Sequence, residues 1–256
     1  MLFRSAFPFG QKRHLLLIQD VTDLQKADAM RRDFVANVSH EMRTPITVLM
    51  GFLETVQSID LEKSQQDEYF EMMMSQAKRM KSLVEDLLTL ANLEANTLPA
   101  STNIIKVDTL MALLKNDADA LSSGNHTLSF TSLSPNNLLG DEKEILSAFS
   151  NLVSNAIRYT PDVGSVDVKW QVNSNGQGEF SVTDTGTGIP SEHLSRLTER
   201  FYRVDRSRSR DTGGTGLGLA IVKHIANRHQ AQLLIESTPG KGSTFMLRFP
   251  KERISN

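Results

Sequence analysis

Two long stretches carry apolar residues at steps of three and four, and nothing else in the chain limits its fold as much. In the first, from about Thr22 to Val56, the positions are Val35, Val38, Met42, Ile46, Leu49, Leu53 and Val56. A polar turn near Ser58 to Ser64 follows. The second stretch runs to about Asn92, with Phe70, Met73, Ala77, Met80, Val84, Leu87 and Ala91. Such steps put the side chains on one stripe of a helix, and the second series alternates without a break, as a heptad seam does. Two helices joined by a short turn form a hairpin with too few neighbours to bury both stripes. Two hairpins packed together solve this as a four-helix bundle. The pattern therefore predicts a homodimer through the helical hairpin. The alternative is a two-helix arm packed on the rest of its own chain.

Around that hairpin the chain divides into three parts. Residues 1–22 contain HLLLIQD, a short apolar run that reads as one strand. A lone strand is not a stable unit, so this part reads as the remnant of an upstream domain that is missing here. Residues 23–97 are the hairpin. Residues 98–256 begin in a linker, NTLPASTN, and then mix strands with helices. Strand candidates are HTLSFTSL, SVDVKWQV, GEFSVTD, AQLLIES and STFMLRF; helix candidates are TLMALLKNDADAL, EKEILSAFSNLVSNAIRY and LGLAIVKHIANRH. Their irregular order suggests an α/β sandwich with a mixed or antiparallel sheet. The fold class is thus α plus α/β.

No stretch approaches the roughly 20 apolar residues of a membrane helix. Lys and Arg total 28 against 30 for Asp and Glu, a net charge of −2 that argues against a nucleic-acid binder. With no cysteine there is no disulfide framework and no thiolate metal site, which is consistent with a reducing compartment. His14, His126, His193, His224 and His229 show no metal-ligand spacing. His224 and His229 fall near a helix end, where a positive imidazole is comfortable.

His40 is different. On the first helix the apolar stripe centres roughly 160° away from it, while Asp33, Asn37, Arg43, Thr44 and Thr47 lie within about 60°. The histidine therefore sits in a polar, solvent-facing stripe. An imidazole that donates one ring N–H to a carboxylate keeps the other nitrogen as a nucleophile, and Glu41 is placed to supply that carboxylate. Pro45 cannot donate to the Glu41 carbonyl, so the helix is expected to kink or loosen one turn past His40.

The run FVANVSHEMRTPI resembles the phosphoacceptor box of sensor histidine kinases of two-component systems. Its flanks, RRDFVANVSHEMRTPITVLMGFLE, resemble the phosphate-regulon subgroup. The resemblance implies that His40 accepts the γ-phosphoryl group of ATP, that Glu41 assists the transfer, and that Thr44 acts in dephosphorylating a partner response regulator.

The second half supplies a donor site. Asn151, Asn155, Arg158 and Tyr159 fall on one face of a helix. They read as a polar cluster facing Mg²⁺ and phosphates or, blandly, as asparagines satisfied by nearby loops. DTGTGIP follows a strand, with Gly186 and Gly188, and is either a tight turn or a base-binding loop. In the latter, Asp184 accepts from the adenine amino group and disfavours guanine. FYRVDRSRSRDTGGTGLGLAI then sets Arg203, Arg206, Arg208 and Arg210 against Asp205 and Asp211, ahead of Gly213, Gly214, Gly216 and Gly218 at a helix start. Glycines there allow backbone to approach phosphate. The pattern is neither a P-loop nor a Rossmann fingerprint, because GxxxxGK[ST] is absent and no βαβ unit surrounds it.

This ordered series resembles the Bergerat-type ATP-binding domain that histidine kinases share with other ATPases. Residue by residue, it implies Asn155 as the Mg²⁺ ligand, Asp184 as adenine reader and Arg203 near the γ-phosphate. Tyr159 and Ile189 would flank the base, with Gly214, Gly216, Leu217 and Gly218 at the phosphates and Thr244 near the adenine. The whole implies an ATP- and Mg²⁺-dependent, homodimeric protein histidine kinase. It would pass its phosphoryl group to the receiver domain of a response regulator in phosphate-starvation signalling, and would also act as a regulator phosphatase. It contacts no nucleic acid directly. The resemblance also implies a cytoplasmic fragment whose full-length protein reaches the inner membrane through its missing N-terminal part. The competing class is an ATP-driven conformational clamp with the hairpin as its dimer arm.

Overall fold

A computed structural model describes residues 2–9, 13–96, 100–204 and 214–255. The chain forms two compact units that divide between Met80 and Lys81.

The first unit opens with β1 (Leu2–Phe9) and β2 (Arg13–Asp20), paired antiparallel from Leu2↔Asp20 to Phe9↔Arg13. The run HLLLIQD is therefore not a lone strand; the residues before it supply its partner. The Asp20 carboxylate then accepts from the backbone N–H and the hydroxyl of Thr22, where α1 (Thr22–Ser58) begins. The helix runs unbroken through Pro45, which is buried. Hydroxyls on either side of it donate to carbonyls that precede it, Thr44 to His40 O at 3.2 Å and Thr47 to Arg43 O at 3.0 Å.

The second helix, α2 (Lys63–Ala95), carries two apolar stripes rather than one seam. Met73, Leu83, Leu90 and Leu93 are buried, whereas Phe70, Met74, Val84 and Leu88 are 38–60% exposed. The expected seam therefore mixes the two: Met73 belongs to the buried stripe, Phe70 and Val84 to the open one. Leu83, Leu90 and Leu93 fall in the part of α2 that belongs to the second unit. On α1, Val35, Ile46, Met50 and Leu53 are likewise open, at 42–57%. Within this unit Phe52 and Tyr69 pack at a ring-centroid distance of 5.6 Å. Among the described residues no helix is long and apolar enough to cross a membrane.

The second unit is an α/β sandwich. Its sheet has the order β4-β6-β7-β9-β8, from β4 (Thr127–Ser132), β6 (Ser165–Val172), β7 (Gly178–Asp184), β8 (Gln232–Thr238) and β9 (Gly242–Phe249). β4 runs parallel to β6 and the other pairs are antiparallel. One face is covered by α3 (Val107–Ser122), α4 (Glu142–Tyr159) and α6 (Gly218–Arg228); a short α5 (Ser191–Leu194) precedes α6. Each strand alternates, so Val166, Val168 and Trp170 of β6 meet Phe180 and Val182 of β7 in the core. Phe149 of α4 stacks on Phe180 with centroids 3.6 Å apart. Burying Phe149, Leu152 or Ile145 contributes about 1.5–3 kcal/mol each. Asp141 caps α4 by accepting from the N–H groups of Lys143 and Glu144. A second, three-stranded sheet of β3 (Asn103–Ile105), β5 (Asn137–Gly140) and β10 (Ile254–Ser255) lies outside the sequence expectation.

His229 corrects its expected role. It is fully buried, with Nδ1 2.8 Å from the Ile225 carbonyl and Nε2 accepting from the Asp141 N–H at 3.1 Å. One nitrogen faces an acceptor and the other a donor, so the ring fits only as the neutral Nδ1–H form. Gly140 is needed beside it, because a Cβ there would come within 2.8 Å of the ring. Burial holds the imidazole below its ordinary pKa, partly offset by the Ile225 bond and Glu144. The unfolded chain then binds this proton more readily than the native one. Stability from His229 is full above about pH 6.5, the unfolded value, and is lost as pH falls through the native value. The midpoint of thermal unfolding should therefore drop between pH 7.5 and 5.5 more steeply for the native protein than for His229→Gln. Equal slopes would remove His229 from the account.

Candidate active site

The last turns of α4 present Asn151, Asn155, Arg158 and Tyr159 to one cavity of 660 Å³. Asp184, Gly188 and Ile189 reach it from the end of β7 and the loop beyond, and Arg203, Gly214, Gly216 and Gly218 from the segment leading into α6. The structure thus gathers into one cleft residues that span 68 positions, from Asn151 to Gly218, and that the sequence analysis assigned to nucleotide binding. Arg206, Arg208, Arg210, Asp205, Asp211 and Gly213 lie outside the described residues.

Asp184 anchors the cavity. Only 5% exposed, it accepts through Oδ1 from Gly186 N–H at 2.8 Å and from Ser243 N–H at 3.2 Å. Burial pushes its carboxyl above the usual range, and the two N–H donors pull it part of the way back. Oδ2 is left to serve the cavity. Gly188, Gly216 and Gly218 leave little room for a side chain, whereas Gly214 is not crowded. At Gly218 a Cβ would sit 2.4 Å from the Asn151 Oδ1, and at Gly188, where φ is +66°, 2.1 Å from the Thr238 carbonyl.

Some expected site residues fall elsewhere. Thr244 pairs with Thr183 across β7 and β9, its hydroxyl 3.0 Å from the Thr183 hydroxyl. Side chains alternate along β9, so Thr244 stands on the sheet face opposite Phe245 and Ser243, which line the cavity. Of the two, Ser243 is the one that lines the cavity. Leu217 is a core residue with no exposure and is absent from the cavity wall; its N–H donates to the Thr215 hydroxyl at 3.2 Å. Gly186 stays behind the wall as a donor to Asp184.

Other residues were not singled out in the sequence. Tyr202, next to Arg203, lines the cavity; its hydroxyl is 2.6 Å from His193 Nδ1, and the Arg196 guanidinium lies 4.3 Å over its ring. Asp86, on α2, also lines the cavity and accepts from the Thr215 hydroxyl at 2.6 Å. Burial raises its carboxyl pKa, while Thr215 and the charge of Arg158 oppose the rise.

In the first unit His40 is exposed and opens on a shallow cleft of 280 Å³ with Arg43, Thr44, Thr47 and Val48. Glu41 is half-buried and pairs with Arg79 at 3.3 Å, an interaction the sequence analysis did not anticipate.

A solvent-facing histidine on a long helical hairpin, followed by a sandwich with this cavity, defines a class. Residues 30–96 match the His Kinase A (phospho-acceptor) domain, and residues 140–253 match the histidine kinase-, DNA gyrase B-, and HSP90-like ATPase family. The chain belongs to the sensor histidine kinases.

Among its relatives is the phosphate regulon sensor protein PhoR of Pseudomonas aeruginosa, 49% identical over 249 residues, which cover 96% of this chain and 56% of that protein. The PhoR protein of Haemophilus influenzae is 38% identical over 94% of this chain and 57% of its own length. The chain thus spans little more than half of these relatives. Full-length ShkA, solved in complex with AMPPNP, is 25% identical at a TM-score of 0.63, covering 88% of this chain and 46% of ShkA. The histidine kinase ThkA, solved in complex with the response regulator protein TrrA, shares the fold at 21% identity and a TM-score of 0.66, covering 98% of this chain and 78% of ThkA.

Proposed function

We propose that the chain is the catalytic part of a protein histidine kinase that phosphorylates itself on His40 and passes the phosphoryl group to an aspartate of a response regulator. The single observation that carries this reading is the cavity around Asp184, where a buried carboxylate, two asparagines, arginines and glycines, three of them with little room for a side chain, converge. A nucleotide fits that donor set. Asp184 would accept from the adenine amino group, with Ser243, Ile189 and Tyr159 beside the base. Gly214, Gly216 and Gly218 would let backbone N–H groups approach the phosphates, with Arg158 and Arg203 countering their charge. Asn155 is the residue suited to hold Mg²⁺, which when bound would neutralise phosphate charge. In ShkA a nucleotide analogue is present, which supports the reading by likeness.

His40 supplies the nucleophile. Its ring nitrogen forms a bond to the γ-phosphorus as the bond to ADP breaks. Glu41, oriented by Arg79, would hold the imidazole in the reactive tautomer. The open apolar stripes of α1 and α2 support a homodimer through the hairpin. Likeness to the two PhoR proteins supports phosphate-starvation signalling. A position on the cytoplasmic side of an inner membrane is supported by the family resemblance rather than by any feature of these residues.

Incubation with γ-labelled ATP and Mg²⁺ tests the reading. Label that is acid-labile, base-stable and transferable to a receiver domain is the expected result. A folded protein that hydrolyses ATP without taking up label would favour the clamp. Thr44 shares the His40 cleft, which supports a role in regulator dephosphorylation. Thr44→Ala should slow loss of phosphate from the regulator by about tenfold or more, with little change in labelling of His40. Normal dephosphorylation by that variant would remove Thr44 from the reaction.

A further inference from the structure

The end of α2 is part of the second unit, and it brings a carboxylate into the cavity. Asp86 lines the same wall as Arg158, Thr215 and Gly216, and it accepts from the Thr215 hydroxyl at 2.6 Å. That hydroxyl in turn accepts from the Leu217 N–H at 3.2 Å, so one hydrogen-bond chain ties α2 to the loop that enters α6. Arg158 lines the same cavity, and its charge favours the ionised form of Asp86. Further along, Glu94 pairs with Arg200, and the Asn96 carbonyl accepts from Arg228. These last pairs are partly exposed and contribute little by themselves. Asp86 is the member of the set that faces the cavity.

A nucleotide would bring several negative charges to the glycine loop and Arg158. Asp86 already offers one there. Two anions that share one cation and one loop oppose each other, and the opposition is reciprocal. We propose that Asp86 is an internal competitor of the nucleotide phosphates, so that nucleotide binding and the docking of the α2 end on the Thr215 loop weaken one another. The inference rests on the reading of this cavity as an ATP site. It adds a function for α2 beyond carrying the hairpin: the helix reports occupancy of the phosphate site.

The test measures affinity of the whole chain for Mg-ATP and for adenosine, which lacks phosphate, in the native protein and in Asp86→Asn and Asp86→Ala. Asparagine keeps an acceptor for Thr215 and removes the charge; alanine removes both, and either variant suffices if the other folds poorly. ATP should bind about three- to tenfold more tightly to the variants, and adenosine unchanged. Hydrogen exchange in residues 81–96 should quicken when ATP is added to the native protein. Unchanged or weaker ATP binding by both variants would overturn the proposal and make Asp86 a support for the loop. An equal change for ATP and adenosine would also overturn it, as a structural effect. Failure of the native protein to bind either ligand would instead remove the ATP reading on which the proposal stands.

Discussion

His40→Gln should take up no label from γ-labelled ATP and should still bind ATP as the native protein does. Glutamine keeps polarity and similar bulk but has no ring nitrogen with a free lone pair, and an amide does not attack phosphorus at a useful rate. The position is exposed on its helix and absent from the cavity wall, so neither fold nor nucleotide affinity depends on it. Its effect on stability should fall within about 0.5 kcal/mol, as for other surface substitutions. The measurement is twofold: phosphoprotein after incubation with labelled ATP, and ATP affinity by titration. Loss of label with unchanged affinity assigns the nucleophile. Label persisting in His40→Gln would place the phosphoacceptor elsewhere. Loss of both would mean the variant is misfolded, which a matched unfolding midpoint would exclude.

The parts of this molecule that were legible in the sequence are those governed by a short repeat. Steps of three and four gave both hairpin helices and the face of α4 that carries Asn151, Asn155, Arg158 and Tyr159, because a helix returns to the same face every 3.6 residues. Alternation gave the five strands of the main sheet. Alternation could also have corrected one residue. Phe245, Leu247 and Phe249 mark the buried face of β9, and Ser243 falls in step with them while Thr244 does not. Likeness to a motif pointed to Thr244, one residue out of step with the face of β9 that lines the cavity, and a step of one in a strand reverses the face. Leu217 sits among the glycines for packing, and its apolar character was the available signal.

What remained hidden depends on contacts between distant positions. Nothing near Asp86 marks it apart from the other acids of α2, because its partner Thr215 lies 129 residues away. The same holds for Glu41 and Arg79, 38 residues apart on two helices. His229 looked like a helix-end cation. The carbonyl and N–H that require it neutral come from Ile225 and Asp141, and only the packing of α6 on α4 joins them. The partner of HLLLIQD was closer at hand: LFRSAFPF precedes the strand of that run by only the three residues Gly10, Gln11 and Lys12, and Pro8 inside LFRSAFPF weakened its reading as a strand.

Asp184→Asn should weaken ATP binding by about 100-fold while making the folded protein more stable at neutral pH. The two effects have one cause. The Asp184 carboxyl is raised above its usual range by burial, so the native state binds its proton more tightly than the unfolded chain does. For a group shifted in that direction, the contribution to stability is full below the ordinary carboxylate value. It is lost as pH rises through the elevated native value. At pH 7 the ionised form is a cost, and a neutral amide removes it. Oδ1 of asparagine can still accept from the N–H groups of Gly186 and Ser243, which fixes which way the amide points. Nδ2 then replaces Oδ2 toward the cavity and sets a donor against the adenine amino group, also a donor. Losing a charge-assisted bond and gaining an unsatisfied pair costs about 3 kcal/mol, which is the hundredfold. Guanine offers a carbonyl at that position, so GTP should lose less than ATP and the preference between them should narrow. Affinities for both nucleotides, with unfolding midpoints at pH 5 and pH 7, separate the effects. The variant's gain in midpoint should be larger at pH 7. An equal gain at both values would mean that Asp184 does not titrate in this window, and undiminished ATP binding would remove it as the reader of the base.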